Sequence, residues 1–248
     1  MKIFTFKAKY SVLIILVLAF SCGFFTSVPV FNTGNRNIPV YSVERPENYA
    51  SLTFNCAWDN HDIDKILDTL SKYNVKSTFF IVGDWAEKYP ESLAKISDAG
   101  HEIGAHSYNH KDYAKLSEVE IEEDIKKCDE VISKITNVAP MLYRVPSGSY
   151  NNNAISTLEK CGKIPIQWSC DTIDYNDASA EEIYNRAIKL EKGGILLMHT
   201  GTKNTAVALS RILDTLSKRF EIVTVGKLLY KDEFIVDEAG RMRKGNAT

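Results

Sequence analysis

Short apolar runs alternate with amphipathic segments along most of the chain, beginning near residue 51. Ser51 to Phe54 predicts a strand, and Ile63, Ile66 and Leu70 then recur at the spacing of one helix face. We predict strands at 51–54, 76–82, 102–105, 141–144, 164–168, 194–198 and 221–224. We predict helices at about 63–70, 90–99, 117–135, 152–161, 179–190, 204–218 and 225–230. This alternation is typical of an α/β fold with a largely parallel sheet, either a barrel or an open doubly wound sheet.

The amino terminus has a different pattern. Lys2, Lys7 and Lys9 precede an almost wholly apolar run from Val12 to Phe25, and no charged residue follows Lys9 until Arg36. A basic flank before such a run is typical of an export segment. It is either a cleaved signal peptide or a retained membrane anchor. We therefore expect the protein to act outside the cytoplasm, anchored in the membrane or secreted.

The same patterns predict the boundaries of the folded domain. Residues 1–31 form the export or anchor segment, and residues 32–48, rich in Asn, Pro and Gly, form a polar linker. The domain spans 49–235, and residues 236–248 form a polar tail. We expect one globular domain that is monomeric.

The composition excludes several classes of protein. The chain has 248 residues with 30 basic and 32 acidic side chains, so a nucleic-acid partner is not indicated. Hydrophobic residues make up 44% of the chain, which is enough for a packed core and argues against disorder. Five cysteines without short repeated spacings argue against a disulfide scaffold.

Polar motifs follow several predicted strands, where parallel α/β folds bind their ligands. His106 and His110 follow the third strand, and two imidazoles four positions apart can converge on one metal ion. Taken alone, this pair is equally consistent with an accidental surface arrangement. Arg144 begins a loop that contains Pro146 and Gly148, which in isolation resembles a plain turn.

Two further motifs stand near the carboxyl end of the domain. Asp171, Asp174 and Tyr175 follow one predicted strand, and Leu197 and His199 end another. A histidine at the end of a buried strand is either a core residue or a catalytic base or acid. A carboxylate such as Asp174 would orient that histidine and raise its pKa.

Taken in order, these motifs resemble the polysaccharide deacetylase family, the NodB-homology domain of carbohydrate esterase family 4. The resemblance covers about residues 49–230 and rests on five ordered motifs: Thr53-Phe54-Asn55-Cys56, His106-Ser107-x-x-His110, Arg144-x-Pro146-x-Gly148, Asp171-x-x-Asp174-Tyr175 and Leu197-x-His199. It implies an irregular (β/α) barrel of about seven strands. The segment from Leu52 to Trp58 looks most similar to the sporulation-associated branch.

The resemblance also implies a reaction and a set of roles. The reaction is hydrolysis of the acetamide of an N-acetylated polysaccharide, such as peptidoglycan or a chitin-like N-acetylglucosamine polymer. It implies a divalent metal, with zinc as the expected ion, held by His106 and His110. His199 would be the general acid, tuned by Asp174, and Arg144 would hold the residue at the base position.

The remaining roles concern the substrate. The backbone near Ser147 would help to bind the tetrahedral oxyanion. Three side chains would shape the pocket for the sugar and its acetyl methyl: Tyr150, Tyr175 and Leu197.

The first motif departs from the family pattern, since Asn55 and Cys56 stand where the family usually has two aspartates. An amide cannot take a proton from water near neutral pH, so Asn55 at the base position cannot act as the base. Cys56 is either a third metal ligand or a small buried hydrophobic residue. Asp59 could substitute if its loop folds back. We therefore expect a metal-dependent de-N-acetylase of impaired activity. The alternatives are an inactive glycan-binding or structural homologue and a hydrolase of another amide or ester.

Overall fold

The computed structural model describes residues 31–32 and 37–245. The predicted export or anchor segment falls almost wholly outside the described residues. Within them, no helix has both the length and the apolar character that a bilayer crossing requires.

A curled parallel sheet forms the centre of the fold. Its strands are β3 (Tyr49–Cys56), β4 (Thr78–Ile81), β5 (Glu102–Ala105), β6 (Leu142–Tyr143), β7 (Ile164–Pro165), β8 (Cys170–Asp171) and β9 (Ile195–His199). They lie in the order β7-β6-β5-β4-β3-β9-β8, and β10 (Glu221–Ile222) pairs with the start of β3. Each of these pairings is parallel. The predicted α/β fold and irregular barrel are confirmed, with β7 and β8 as the two ends of the curled sheet.

Eight described helices connect these strands: α1 (Ile63–Lys72), α2 (Gly83–Lys88), α3 (Pro90–Asp98), α4 (Glu118–Thr136), α5 (Asn152–Lys160), α6 (Ala180–Ala187), α7 (Thr205–Leu216) and α8 (Val225–Leu228). The longest, α4, begins at a capping box in which Ser117 and Glu120 each bond the other's backbone N–H, and it ends at Asn137 in the left-handed conformation. The sequence pattern predicted seven of these helices, and the short α2 was missed.

The alternation of side chains along the strands decides where the chemistry lies. In β3, Phe54 and Cys56 pack into the apolar core, whereas Thr53 and Asn55 point to the other face, toward Arg144. The motif residues lie at or just after the carboxyl ends of β3, β5, β6, β8 and β9. The fold thus places the five motifs at one end of the curled sheet, as the sequence predicted.

A second, smaller sheet extends the folded unit beyond the predicted boundaries at 49 and 235. It contains β1 (Phe31–Asn32), β2 (Ser42–Val43), β11 (Phe234–Val236) and β12 (Arg241–Lys244), in the order β1-β11-β12-β2. Val40 and Val43 are buried with Met242 in a common apolar cluster. Residues 40–43 and 241–244 therefore belong to the packed structure, because Val40, Val43 and Met242 supply apolar area that the domain core buries.

The same amino-terminal segment joins the β7 end of the curled sheet to the residues that precede β9. Val40 donates its N–H to the carbonyl of Pro165 (2.9 Å) and accepts from the N–H of Gln167 (2.7 Å). Val43 donates to the carbonyl of Gly193 (2.8 Å). The segment predicted as a linker thus satisfies backbone groups beside β7 and before β9.

Candidate active site

The centre of the site is a buried chain of hydrogen bonds through Arg144, Asn55 and His106. Arg144, fully buried after β6, donates from Nη1 to Oδ1 of Asn55 (2.9 Å) and to Oγ1 of Thr53 (3.0 Å). Its Nη2 donates to the carbonyl of Gln167 (3.0 Å), and its guanidinium lies 3.9 Å from the centre of the Phe80 ring. The predicted contact between Arg144 and the base position is present.

The chemistry of the partners fixes which atom donates in each contact. Arg144 can only donate, so the Asn55 atom that it contacts is the oxygen Oδ1, and the nitrogen Nδ2 faces His106. Nδ1 of His106 lies 2.7 Å from the carbonyl oxygen of Arg144, which can only accept, so Nδ1 carries the proton. Nε2 of His106 is therefore the acceptor for Nδ2 of Asn55, at 3.2 Å. An amide satisfies both neighbours, which a carboxylate at position 55 could not do beside a neutral His106.

The electrostatics agree with an uncharged amide at this place. Burial lowers the pKa of Arg144 to about 9, and the nearby carboxylate of Asp171 opposes this only in part. Burial, reinforced by His110, holds the pKa of His106 well below its ordinary value, so the ring is neutral at pH 7. The site therefore contains one buried guanidinium without a carboxylate hydrogen-bonded to it.

Cys56 does not face this site. It is fully buried among apolar side chains of the core, because it lies one position beyond Asn55 on the strand and points to the opposite face. Burial raises the pKa of its thiol far above the ordinary value, so the thiolate that binds metal is disfavoured. Of the two interpretations of Cys56, the structure supports the small buried hydrophobic residue.

The predicted metal site lacks a third protein ligand. The rings of His106 and His110 are close, with centroids 5.0 Å apart, and partial burial lowers the pKa of His110. No group of three His, Cys, Asp or Glu residues that could hold a metal ion is found among residues 37–245. Asp59, the possible substitute, accepts instead from the backbone N–H groups of Asn60 (2.5 Å) and His61 (3.1 Å). The residues present therefore do not fit the three-ligand site of a catalytic zinc.

The pair predicted to act as general acid, His199 with Asp174, is in contrast assembled by hydrogen bonds. His199 ends β9, and its Nδ1 lies 2.8 Å from Oδ1 of Asp174. Oδ2 of Asp174 accepts from the backbone N–H of His199 (2.7 Å) and from the hydroxyl of Thr205 (2.5 Å). With its carboxylate fixed by three donors, Asp174 holds the His199 ring in one orientation and leaves Nε2 for a ligand. Asp171 does not join this pair, since its Oδ1 accepts from the N–H of Ile173 (2.8 Å).

The predicted substrate residues surround these two centres. Ser147 and Gly148 both adopt positive φ (56° and 65°) in a tight turn, in which the N–H of Gly148 donates to the carbonyl of Val145 (3.4 Å). The Tyr175 ring packs edge-on against His199, with centroids 5.2 Å apart. Tyr150 lies at hydrogen-bond distance from Tyr41, with hydroxyl oxygens 3.2 Å apart. Leu197 is buried in β9, two positions before His199 and hence on the same face of the strand as that histidine.

Two residues at the site were missed by the sequence analysis. The indole of Trp58 stacks on the His199 ring, with centroids 5.1 Å apart and an angle of 27° between the planes. A tryptophan directly after a strand that ends in a motif was the available signal. Tyr41 lies in the segment predicted as a linker, and no local pattern relates it to Tyr150, which is 109 positions away.

Comparisons with known proteins agree with this geometry. The sequence model described as polysaccharide deacetylase matches residues 42–165, which is half of the chain. A peptidoglycan-N-acetylglucosamine deacetylase of Bacillus cereus is 36% identical over 64% of this chain and 59% of its own length. The uncharacterised protein YlxY of Bacillus subtilis is 33% identical over 77% of this chain and 60% of its own. The match thus spans about three fifths of both relatives.

A solved structure shares the fold of this chain. BA3943 of Bacillus anthracis, described as a CE4 family pseudoenzyme, superposes with a TM-score of 0.75 at 30% identity, over 79% of this chain and 70% of that one. A mutant of that protein is described as having restored enzymatic activity. On its sequence match, its fold and the order of its site residues, this chain belongs to the polysaccharide deacetylase family.

Proposed function

We propose that this protein binds N-acetylated cell-envelope glycan of the peptidoglycan class in the groove beside His199, and that the native chain hydrolyses its acetamide slowly or not at all. The His199–Asp174 pair of a deacetylase is present. The group that would activate water is not, because Asn55 stands at the base position. Loss of a general base typically removes about 10²- to 10⁴-fold of rate.

The observation that carries this proposal is the pair of contacts made by the Asn55 amide. Its oxygen accepts from Arg144 and its nitrogen donates to His106. Both atoms are engaged with buried partners, and the histidine nitrogen that would otherwise bind a ligand is already occupied. The Asn55 amide is therefore satisfied by hydrogen bonds within the protein, and neither of its polar atoms is free to take a proton from water.

The second candidate is an active, metal-dependent de-N-acetylase, which is favoured by the intact general-acid pair. Asp174 orients His199 as a proton donor would require, through contacts of 2.7 and 2.8 Å. Relatives such as the Bacillus cereus enzyme are named for removing acetyl groups from peptidoglycan N-acetylglucosamine. For that candidate, zinc or another divalent ion would have to displace the Asn55 amide from His106.

The place of action is part of the same proposal. The basic flank and apolar run of residues 2–25 support export, and a retained segment would tether a monomeric domain to the outer face of the membrane, beside the cell-envelope glycan. Fractionation of cells into cytoplasm, membrane and medium, with immunodetection of the chain, tests this part. Recovery of the full chain in the cytoplasm alone would contradict it.

The experiment that tests the function compares the native chain with Asn55→Asp. Binding to N-acetylchitotetraose and to peptidoglycan is measured by calorimetry and sedimentation, and acetate release is measured on the same substrates. We expect the native chain to bind both glycans without measurable acetate release. We expect Asn55→Asp to bind equally and to release acetate, because the carboxylate can accept the proton of water.

A charge-matched control is Asn74→Asp. Asn74 lies between α1 and β4, at the end of the sheet opposite the motifs, and its positive φ of 52° is tolerated by aspartate. It should behave as the native chain does. Acetate release by the native chain at the rate of Asn55→Asp would establish the second candidate, and absence of glycan binding by both proteins would overturn the proposal.

A further inference from the structure

Exposed aromatic side chains are concentrated at one place on the described surface. Six large apolar side chains of the described residues are exposed: Trp58, Val119, Val138, Met141, Tyr175 and Val207. Only two of the six are aromatic, Trp58 at 49% and Tyr175 at 50% exposure, and both contact the ring of His199. Single exposed aliphatic residues are ordinary, whereas a pair of exposed aromatic rings on one histidine indicates a binding surface.

The loop that carries Trp58 is held from several sides. Nε1 of Trp85 donates to the carbonyl of Asp59 (3.3 Å), and Nδ2 of Asn60 donates to Oγ of Ser92 (2.9 Å). Gly201, at a φ of 73°, lies so close that a Cβ there would come within 2.6 Å of the Asp59 backbone. The fold thus fixes the loop firmly while leaving half of the indole in water. Packing of the protein does not account for that exposure.

The surroundings of the indole combine one apolar face with polar groups. One face of Trp58 stacks on His199 and the opposite side faces solvent. On the same loop, His61 and Asp59 are exposed, with Nδ1 of His61 3.5 Å from Oδ1 of Asp59. A pyranose ring with equatorial substituents has this complementary character, since its axial C–H groups form an apolar face and its hydroxyls lie around the edge. The negative face of an indole attracts such polarised C–H groups.

We propose that Trp58 is the residue that stacks on a pyranose ring of the bound N-acetylated glycan, beside the sugar whose acetamide reaches His199. This inference rests on the proposed function and adds a specific contact to it. Trp58 and Tyr175 both lie against the ring of His199, with Trp58 supplying the broader apolar face. Truncation of such an aromatic anchor weakens binding by about tenfold or more.

The test measures the affinity of N-acetylchitotetraose for the native chain, Trp58→Ala and Trp58→Phe by calorimetry. We expect a loss of about tenfold for Trp58→Ala and a smaller loss for Trp58→Phe, which keeps a ring. Val207→Ala, an exposed residue on α7, is the control and should bind as the native chain does. Circular dichroism and melting temperature establish that each variant is folded.

Tryptophan fluorescence gives a second, independent readout. Of the other two tryptophans Trp85 is buried and Trp168 half-buried, so a change in emission on glycan binding that disappears in Trp58→Phe and persists in Trp168→Phe identifies Trp58 as the contacted ring. Equal affinity of the native chain and Trp58→Ala, with the fluorescence change retained in Trp58→Phe, would refute this inference alone. Absence of glycan binding by the native chain would refute both this inference and the proposed function.

Discussion

Asn55→Asp replaces one buried NH₂ group by a negatively charged oxygen between Arg144 and His106. The bond from Arg144, 2.9 Å long with the native amide, becomes a charge-assisted one. Such a bond contributes about 1.5–3 kcal/mol, compared with about 0.5–1.5 kcal/mol for a neutral pair. His106 loses the donor that lies 3.2 Å from its Nε2, and an unpaired buried acceptor costs about 1–3 kcal/mol. The two effects offset each other, so the free energy of unfolding of the metal-free variant should lie within about 2 kcal/mol of the native value.

A divalent cation changes this balance. In the variant, the amide no longer occupies Nε2 of His106, so this nitrogen and His110 are available to a divalent ion, and the new carboxylate adds negative charge beside them. At a free metal concentration 100 times the dissociation constant, binding stabilises the folded state by about 2.7 kcal/mol. For a domain of this size that raises the melting temperature by about 5–10 °C. In the native chain the metal would first have to displace the Asn55 amide, and we expect little or no rise.

The assay is thermal unfolding of the native chain, Asn55→Asp and Asn55→Asp/His106→Ala, each with zinc and with a chelator. Only the single variant should gain stability with zinc, and the double variant should lose the gain because one ligand is missing. An equal rise for the native chain would refute the argument, since it would mean that the Asn55 amide does not block the histidine.

Three further predictions concern the scaffold. Arg144→Ala should lower the free energy of unfolding by about 3–5 kcal/mol in urea titrations, because it opens a cavity and leaves buried acceptors without a donor; a loss below about 1 kcal/mol would contradict this. Burial lowers the pKa of His101 to about 4 from its ordinary 6.5, so the unfolded chain binds a proton in that window that the folded chain does not, and stability falls as pH falls from about 6.5 to 4. His101→Gln should make this acid decline shallower in denaturation curves, and an unchanged slope would exclude the histidine as its cause. Val43→Ala should lower the free energy of unfolding by about 1–3 kcal/mol. A chain beginning at Tyr49 should have a melting temperature well below that of a chain beginning at residue 37. Equal melting temperatures would show that the small sheet adds no stability.

Much of the fold could be predicted because it depends on local periodicity. The apolar run of β9 and the capping box at Ser117 are each contained within a few consecutive residues. The short helix Gly83–Lys88 was missed because six residues give too little periodicity. The small sheet was missed because β2 and β12 pair residues about 200 positions apart, and neither strand is long enough to show an alternation.

The features of the site also separate into those set by the local sequence and those set by contacts between distant residues. The sequence by itself determined which groups are available: an amide where a carboxylate is usual, two histidines, an arginine and the His199–Asp174 pair. Only the tertiary structure decided what these groups do to one another. Cys56 faces the core because of the face it occupies on β3, and the Asn55 amide bridges Arg144 and His106 because three strands bring those residues together. The sequence specifies the residue types. The direction of a hydrogen bond and the exposure of a ring such as Trp58 depend on neighbouring residues that are brought together only by folding.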